Sequence, residues 1–198
     1  MPRRPGASLN RAAVVQAAAR LVNAEGAEAL TLGRLAAELG VQAPSLYNHV
    51  NGLPGLFREL ALMNARALGE RMTDAVMGKS GPAAVMAAAQ AYRGYIKDNP
   101  HLYLSSLRAS RNQQAFDEEL GAAEERVVKV ALAVLISFGL AGDEALHAVR
   151  GLRSLVHGFA SLEVAGGFGL ALDCDESFRR LVEVWIAGLE LSLNTKTA

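Results

Sequence analysis

Thr31-Leu-Gly-Arg-Leu-Ala-Ala-Glu-Leu-Gly-Val-Gln-Ala-Pro-Ser-Leu-Tyr-Asn-His-Val50 is the stretch whose reading decides the fold. Leu32, Leu35, Ala36 and Leu39 recur at helical spacing behind Thr31, whose hydroxyl suits a helix start. Gly40 supplies a positive φ without a Cβ clash and so turns the chain sharply. Pro44 stands where a first-turn proline is tolerated and opens a shorter segment over 44–50. Two short helices joined by a tight glycine turn make a helix-turn-helix, whose second helix enters a DNA major groove. The spacing points Leu35, Ala36 and Leu39 inward with Val41, Leu46 and Val50. Gln42, Ala43, Ser45, Tyr47, Asn48 and His49 remain for the exposed face.

Outward from this stretch the chain reads as helix after helix. Val14, Ala17, Ala18 and Leu21 lie on one helical face between Asn10, a capping residue, and Gly26, a stop. Asn51 and Gly52 end the short segment, and Pro54 opens a longer apolar-periodic helix towards Met77. Gly78-Lys79-Ser80-Gly81-Pro82 breaks the chain. The spacing then predicts a helix to about Asp98, a shorter one over 101–107, and long ones from about Gln114 to Phe138 and from Asp143 towards Gly166. A last helix is expected from about Asp175 to Leu193. No period-2 strand pattern competes, so the expected architecture is all-α with about nine helices.

Composition narrows the function classes. The 198 residues hold 20 Lys+Arg, 20 Asp+Glu, six prolines and one cysteine, and 51% are hydrophobic. With Cys174 alone, an intramolecular disulfide or a cysteine-rich zinc site cannot form. The start MPRRPGASLN has no apolar run and does not read as a signal peptide. The longest apolar stretch, Val130 to Gly142, is shorter than the roughly 20 residues of a membrane span. A cytoplasmic protein without membrane contact is expected. The neutral total hides an asymmetry. Residues 1–72 carry 8 Lys/Arg against 5 Glu, a balance of +3, and residues 73–198 carry 12 against 15, a balance of −3.

Residues 9–60 resemble the DNA-binding domain of the TetR family of bacterial repressors. The resemblance is carried by Ala17-Ala18 and Leu21 ahead of Gly26, by Leu30-Thr31, by Leu35-Ala36 with Leu39-Gly40-Val41, and above all by Pro44-Ser45-Leu46-Tyr47-Asn48-His49-Val50. It implies that Thr31, at a helix N-terminus, binds a DNA phosphate with help from free N–H groups and the positive dipole end. Tyr47 and His49 match phosphate-contacting positions; Gln42, Ala43, Pro44, Ser45 and Asn48 match positions that read base edges. Arg34 adds a backbone or groove contact. Two departures stand out. Leu53 replaces a lysine common in the family, and Gly33 occupies a position where some members read a base with arginine. Tyr47 has a second reading, as a ring covering the domain core, and His49 as a solvated histidine. Arg3 and Arg4 read either as an arm reaching a minor groove or as a frayed terminus.

Beyond residue 60 the resemblance weakens, although Leu155 to Phe159 and onward to Phe168 is similar to a family subtype with a His-Gly pair. Gly151, Ser154, Gly158, Ser161 and Ala165 form a stripe of small residues flanked by Leu155 and Leu162, which lets another helix approach closely. Phe178, Leu181, Val182, Trp185 and Leu189 make an apolar face on the last helix. Two such helices from each of two subunits give a homodimer interface, with intramolecular packing as the other reading. An apolar cavity for a small hydrophobic effector is expected among the central helices. Its candidates are Met86, Tyr92, Tyr95, His101, Tyr103, Leu107, Phe116 and His147. No metal is proposed, because the histidines lack ligand spacing, and no cofactor is implied.

The expected function is a homodimeric regulator, a repressor, with a DNA-binding domain over 1–55 and a ligand-binding and dimerisation domain over 56–198. It binds a palindromic double-stranded DNA operator and is released by the effector. The alternative is a helical interaction or ligand-carrier module without DNA binding. An enzyme is not expected, since no acid, base and nucleophile converge; Asp117, Glu118, Glu119, Glu124 and Glu125 read as a solvated acidic face.

Overall fold

The computed structural model describes residues 9–112 and 117–196, with side chains over 9–107 and 117–193. Phe116, Arg3 and Arg4 lie outside the described residues. Helices α1 (Arg11–Glu25), α2 (Leu32–Leu39), α3 (Ala43–Leu46), α4 (Gly52–Val76), α5 (Gly81–Asp98), α6 (Pro100–Asn112), α7 (Glu118–Ile136), α8 (Gly142–Val164) and α9 (Cys174–Lys196) follow one another. A single 3-10 turn, Ala27–Ala29, joins α1 to α2, and no strand occurs among the described residues. The all-α expectation is met. Differences lie mainly at helix ends, where α6 runs past 107 and α7 begins at Glu118.

Compactness divides the chain into two units, at places other than the sequence boundary after residue 55. The first comprises the described parts of Met1–Asn64 and His101–Gly121; the second comprises those of Ala65–Pro100 and Ala122–Ala198. Helices α4 and α7 therefore each contribute residues to both.

In the first unit α1 to α3 and the start of α4 close over one apolar cluster. Val14, Ala17, Ala18, Leu21 and Val22 of α1 meet Leu35, Ala36, Leu46, Val50, Leu56 and Leu60, and Leu102 of α6 joins them. Leu39 and Val41, expected inside, are half-buried at its margin. Ion pairs lie around this cluster. Arg58 of α4 donates to Asp117 through Nε (2.5 Å) and Nη2 (2.8 Å), to Glu119 (2.8 Å) and to Glu59 (2.7 Å). Glu59 also pairs with Arg11 of α1. Asp117 in turn caps α7 by accepting the Leu120 N–H at 3.0 Å. The hydrogen bonds from Arg58 and from the backbone lower its pKa to about 2. The solvated reading of the acidic stretch is thus corrected for Asp117, which a guanidinium 59 positions away takes up, while Glu119 stays exposed with one oxygen on the same Arg58.

In the second unit α5 packs chiefly against α8 and α9. Ala84, Val85, Ala88, Ala89 and Ile96 of α5 are buried, as are Ala145, Val149, Leu152, Val156 and Ala160 of α8 and Phe178, Val182 and Ile186 of α9. Arg93 is buried among them. It donates to Glu163 through Nε (2.7 Å) and Nη2 (2.6 Å) and pairs with Asp175 at 2.8 Å. Its guanidinium lies 4.8 Å from the Phe178 ring centroid and 5.4 Å from that of Phe159, within cation–π range. Burial works against the Glu163 carboxylate, yet hydrogen bonds from Arg93 and Lys97 hold its pKa below the ordinary value.

Candidate nucleic-acid interface

The site is built on α2, α3 and the turns around them. Thr31 is the N-cap of α2, its hydroxyl accepting the Arg34 N–H at 3.2 Å. Gly40 ends α2 in the left-handed conformation, with φ 66 and ψ 32. Its N–H donates to Ala37 (3.2 Å), and that of Val41 donates to Ala36 (2.9 Å), so the turn consumes two helix-end carbonyls. A side chain there would strain the backbone, although nothing lies within 4 Å of a Cβ.

Helix α3 is shorter than the 44–50 segment read from sequence. Regular helix covers Ala43–Leu46, and hydrogen-bonded turns continue it: His49 N–H donates to Leu46 at 2.9 Å and Val50 N–H to the same carbonyl at 3.0 Å. Leu46 and Val50 are buried and pin this stretch to the apolar cluster. Gln42 caps α3 by backbone alone, which leaves its amide free of the capping role. Gln42, Pro44, Tyr47 and Asn48 are exposed; Ala43, Ser45 and His49 are half-buried. Tyr47 is 62% exposed, so its reading as a core cover is corrected: Leu46 already fills that place. Arg34 is exposed, but its guanidinium is paired with Glu25 at the end of α1.

The chain matches the family model described as "Bacterial regulatory proteins, tetR family" over residues 14–60. A second match, "Tetracyclin repressor-like, C-terminal domain", spans residues 85–185, more than half of the chain. The chain belongs to the TetR family. It is 33% identical over 186 residues to YobS, an uncharacterized HTH-type transcriptional regulator of Bacillus subtilis (strain 168), covering 93% of this chain and 95% of that one. Among solved structures, a protein of unknown function from Rhodococcus sp. RHA1 superposes with a TM-score of 0.82 at 19% identity, covering 96% of this chain and all of that one. A TetR variant from Acinetobacter baumannii AYE in complex with minocycline gives 0.66 at 24% identity, covering 92% and 97%. These structures share the fold. The protein is a TetR-family transcriptional regulator, and the family model over 14–60 contains the whole of the α2–α3 site.

The other expected positions are distributed as follows. Met86, Tyr92, Tyr95 and His147 belong to the second unit, and His101, Tyr103 and Leu107 to the first. Tyr92, Tyr95 and Tyr103 are buried, and burial pushes the Tyr95 hydroxyl up to about 12 against the opposing charge of Arg71. Met86 and Leu107 are half-buried, and His147 is exposed. His101 is exposed too, with Nδ1 3.1 Å from the Asn23 carbonyl near the end of α1. No group of three or more His, Cys, Asp or Glu suited to a metal occurs among the described residues. No helix among them is long and apolar enough to cross a membrane.

On α8 the inward face is Ala145, Val149, Leu152, Val156 and Ala160; Gly151, Ser154, Leu162 and Ala165 are exposed, and Leu155, Gly158 and Ser161 half-buried. Around a Cβ at Gly158 nothing lies within 4 Å, whereas at Gly151 the Trp185 Nε1 lies 3.5 Å away. On α9 Leu181 is exposed, and Trp185 and Leu189 are half-buried. Phe178 is different: it is 1% exposed, with its ring centroid 5.2 Å from that of Phe159. Its place is inside its own chain. Sequence reasoning did not find Arg93, because a lone arginine in an apolar-periodic helix looks like a surface residue until its partners arrive from α8 and α9.

Proposed function

We propose that the protein is a homodimeric repressor that reads a palindromic DNA operator with α3 and is released by a small, largely apolar effector. The observation that carries this reading is the outward face of the helix-turn-helix: Gln42, Pro44, Tyr47 and Asn48 stand in solvent while Leu35, Leu46 and Val50 fix the backbone beneath. Thr31, Tyr47 and His49 hold phosphates, and Gln42, Ala43, Pro44, Ser45 and Asn48 meet base edges; the first set positions and the second specifies. Residues 1–55 read DNA, and residues 56–198 bind the effector and the second subunit, through Gly158, Ser161, Leu162, Leu181 and their neighbours. Two α3 segments about 34–36 Å apart then fit successive major grooves. An effector that favours another separation lowers affinity through a coupling of about 1–3 kcal/mol. Such a regulator works in the cytoplasm.

Selection from a random duplex pool at low salt tests the reading. A palindromic site is expected, and its absence rejects the function. On that site Asn48→Ala should cost about 1–3 kcal/mol and relax the preference at one base position, whereas Tyr47→Ala should weaken all duplexes alike. Anisotropy titrations on matched and scrambled duplexes separate the two. The minocycline held by the Acinetobacter structure makes polycyclic drugs a reasonable first set for a thermal-shift screen followed by operator release.

A further inference from the structure

Between Thr31 and Asn51 the sequence holds one arginine or lysine, Arg34. It stands in the first turn of α2, three residues from the Thr31 cap, with its N–H already committed to the Thr31 hydroxyl. Its guanidinium is not free in solvent. Nη2 is paired with Glu25 Oε1, on the last residue of α1, although Glu38 stands at the usual i,i+4 distance on α2 itself. Both partners are nearly half exposed, at 45% and 46% of their side-chain surface, so solvent ions and a phosphate reach the pair. An exposed pair of this kind is weak and exchanges partners at small cost.

We propose that Glu25 is a competitor for Arg34 built into the reading surface, a positioning residue that sets DNA affinity low. The inference rests on the DNA-reading function proposed above. On an unpaired Arg34, a DNA phosphate replaces solvent anions and releases the cation condensed on that phosphate. On a paired Arg34 the phosphate must first displace a carboxylate, and Glu25 then draws a cation from solution. That cation offsets the one released from the DNA. The pair therefore lowers both the affinity and its dependence on salt. Removing the Glu25 charge should tighten binding about two- to fivefold, the range of a weak exposed pair. It should also make the slope of log K against log salt more negative, by at most about 0.9, the value of one condensed counterion.

The test is anisotropy on a short duplex of random sequence at several salt concentrations. It compares the wild type, Glu25→Gln, Arg34→Ala, the double variant and Glu38→Gln, each checked for folding by circular dichroism. Expected are the gain and the steeper slope in Glu25→Gln, and a double variant indistinguishable from Arg34→Ala. Equal affinity and slope for Glu25→Gln and wild type overturn the proposal. So does the same gain in the Arg34→Ala background or in Glu38→Gln, since the effect is then one of net charge and does not pass through Arg34. A folded wild type that binds no duplex at low salt overturns the DNA-reading function, and the proposal with it.

Discussion

In the unit that carries α1 to α3 the central cluster is apolar and the arginines lie around it; in the unit built on α5, α8 and α9 an arginine lies inside and several leucines lie outside. Arg11, Arg34 and Arg58 are all paired with carboxylates in the first unit, and α3 itself carries only neutral side chains. In the second, Arg93 is buried under Phe159 and Phe178 while Leu162, Leu181, Val184 and Leu191 face solvent. The difference teaches where each unit needs definition. A reading surface needs a backbone held to a fraction of an ångström, which close-packed aliphatic side chains give. The proposed surface for a second subunit would need its two helices in a fixed orientation, which directional ion pairs give while the outer faces stay apolar.

The sharpest way to break this comparison is Leu46→Ala. Leu46 is fully buried, and the cavity should cost about 2–5 kcal/mol in urea unfolding. Hydrogen exchange should show lost protection in α1 to α3 and retained protection in α5 and α8. Equal loss everywhere would mean that the two units unfold as one. Next in size is Glu163→Gln, which leaves the buried Arg93 with Asp175 as its one carboxylate partner and should cost about 3 kcal/mol. Acid sharpens that result. The folded pKa of Glu163 is depressed, so its contribution is fully present above the unfolded value near 4.3 and is lost as pH falls through the folded value. Wild-type stability should therefore fall towards that of the variant on acidification; parallel pH profiles would assign the stability elsewhere. Smallest in stability but decisive in assembly is Gly158→Leu. Its Cβ has open space within the chain, so the unfolding midpoint should hold or rise slightly with helix propensity. Sedimentation should nonetheless show dimer weakened at least about tenfold, the 1.4 kcal/mol equivalent of a modest clash. An intact dimer would move the seam away from this stripe.

Much of the first unit was legible because its determinants are local. Thr31, Gly40 and Pro44 act on the backbone within a turn of themselves, and the apolar residues 35, 36, 46 and 50 lie on one short stretch. The length of α3 is not legible for the same reason: nothing in residues 44–50 says where helical hydrogen bonding gives way to turns. The Arg93 cluster was not legible, since Glu163 stands 70 positions away and its spacing follows no helical or strand period. The inward place of Phe178 is not legible either, because periodicity marks an apolar side without saying whether its own chain or another covers it. The Arg58 network escaped for a related reason. The consecutive acidic residues Asp117, Glu118 and Glu119 suit water as well as they suit a distant guanidinium.

Trp185 offers a consequence of a different kind. It is the chain's one tryptophan, half-buried, with its indole nitrogen poised over Gly151 beside the open stripe of α8. Indole emission shifts with local hydration, so this single ring would be an optical gauge of the proposed seam. A blue shift with rising protein concentration would report its closure without any label.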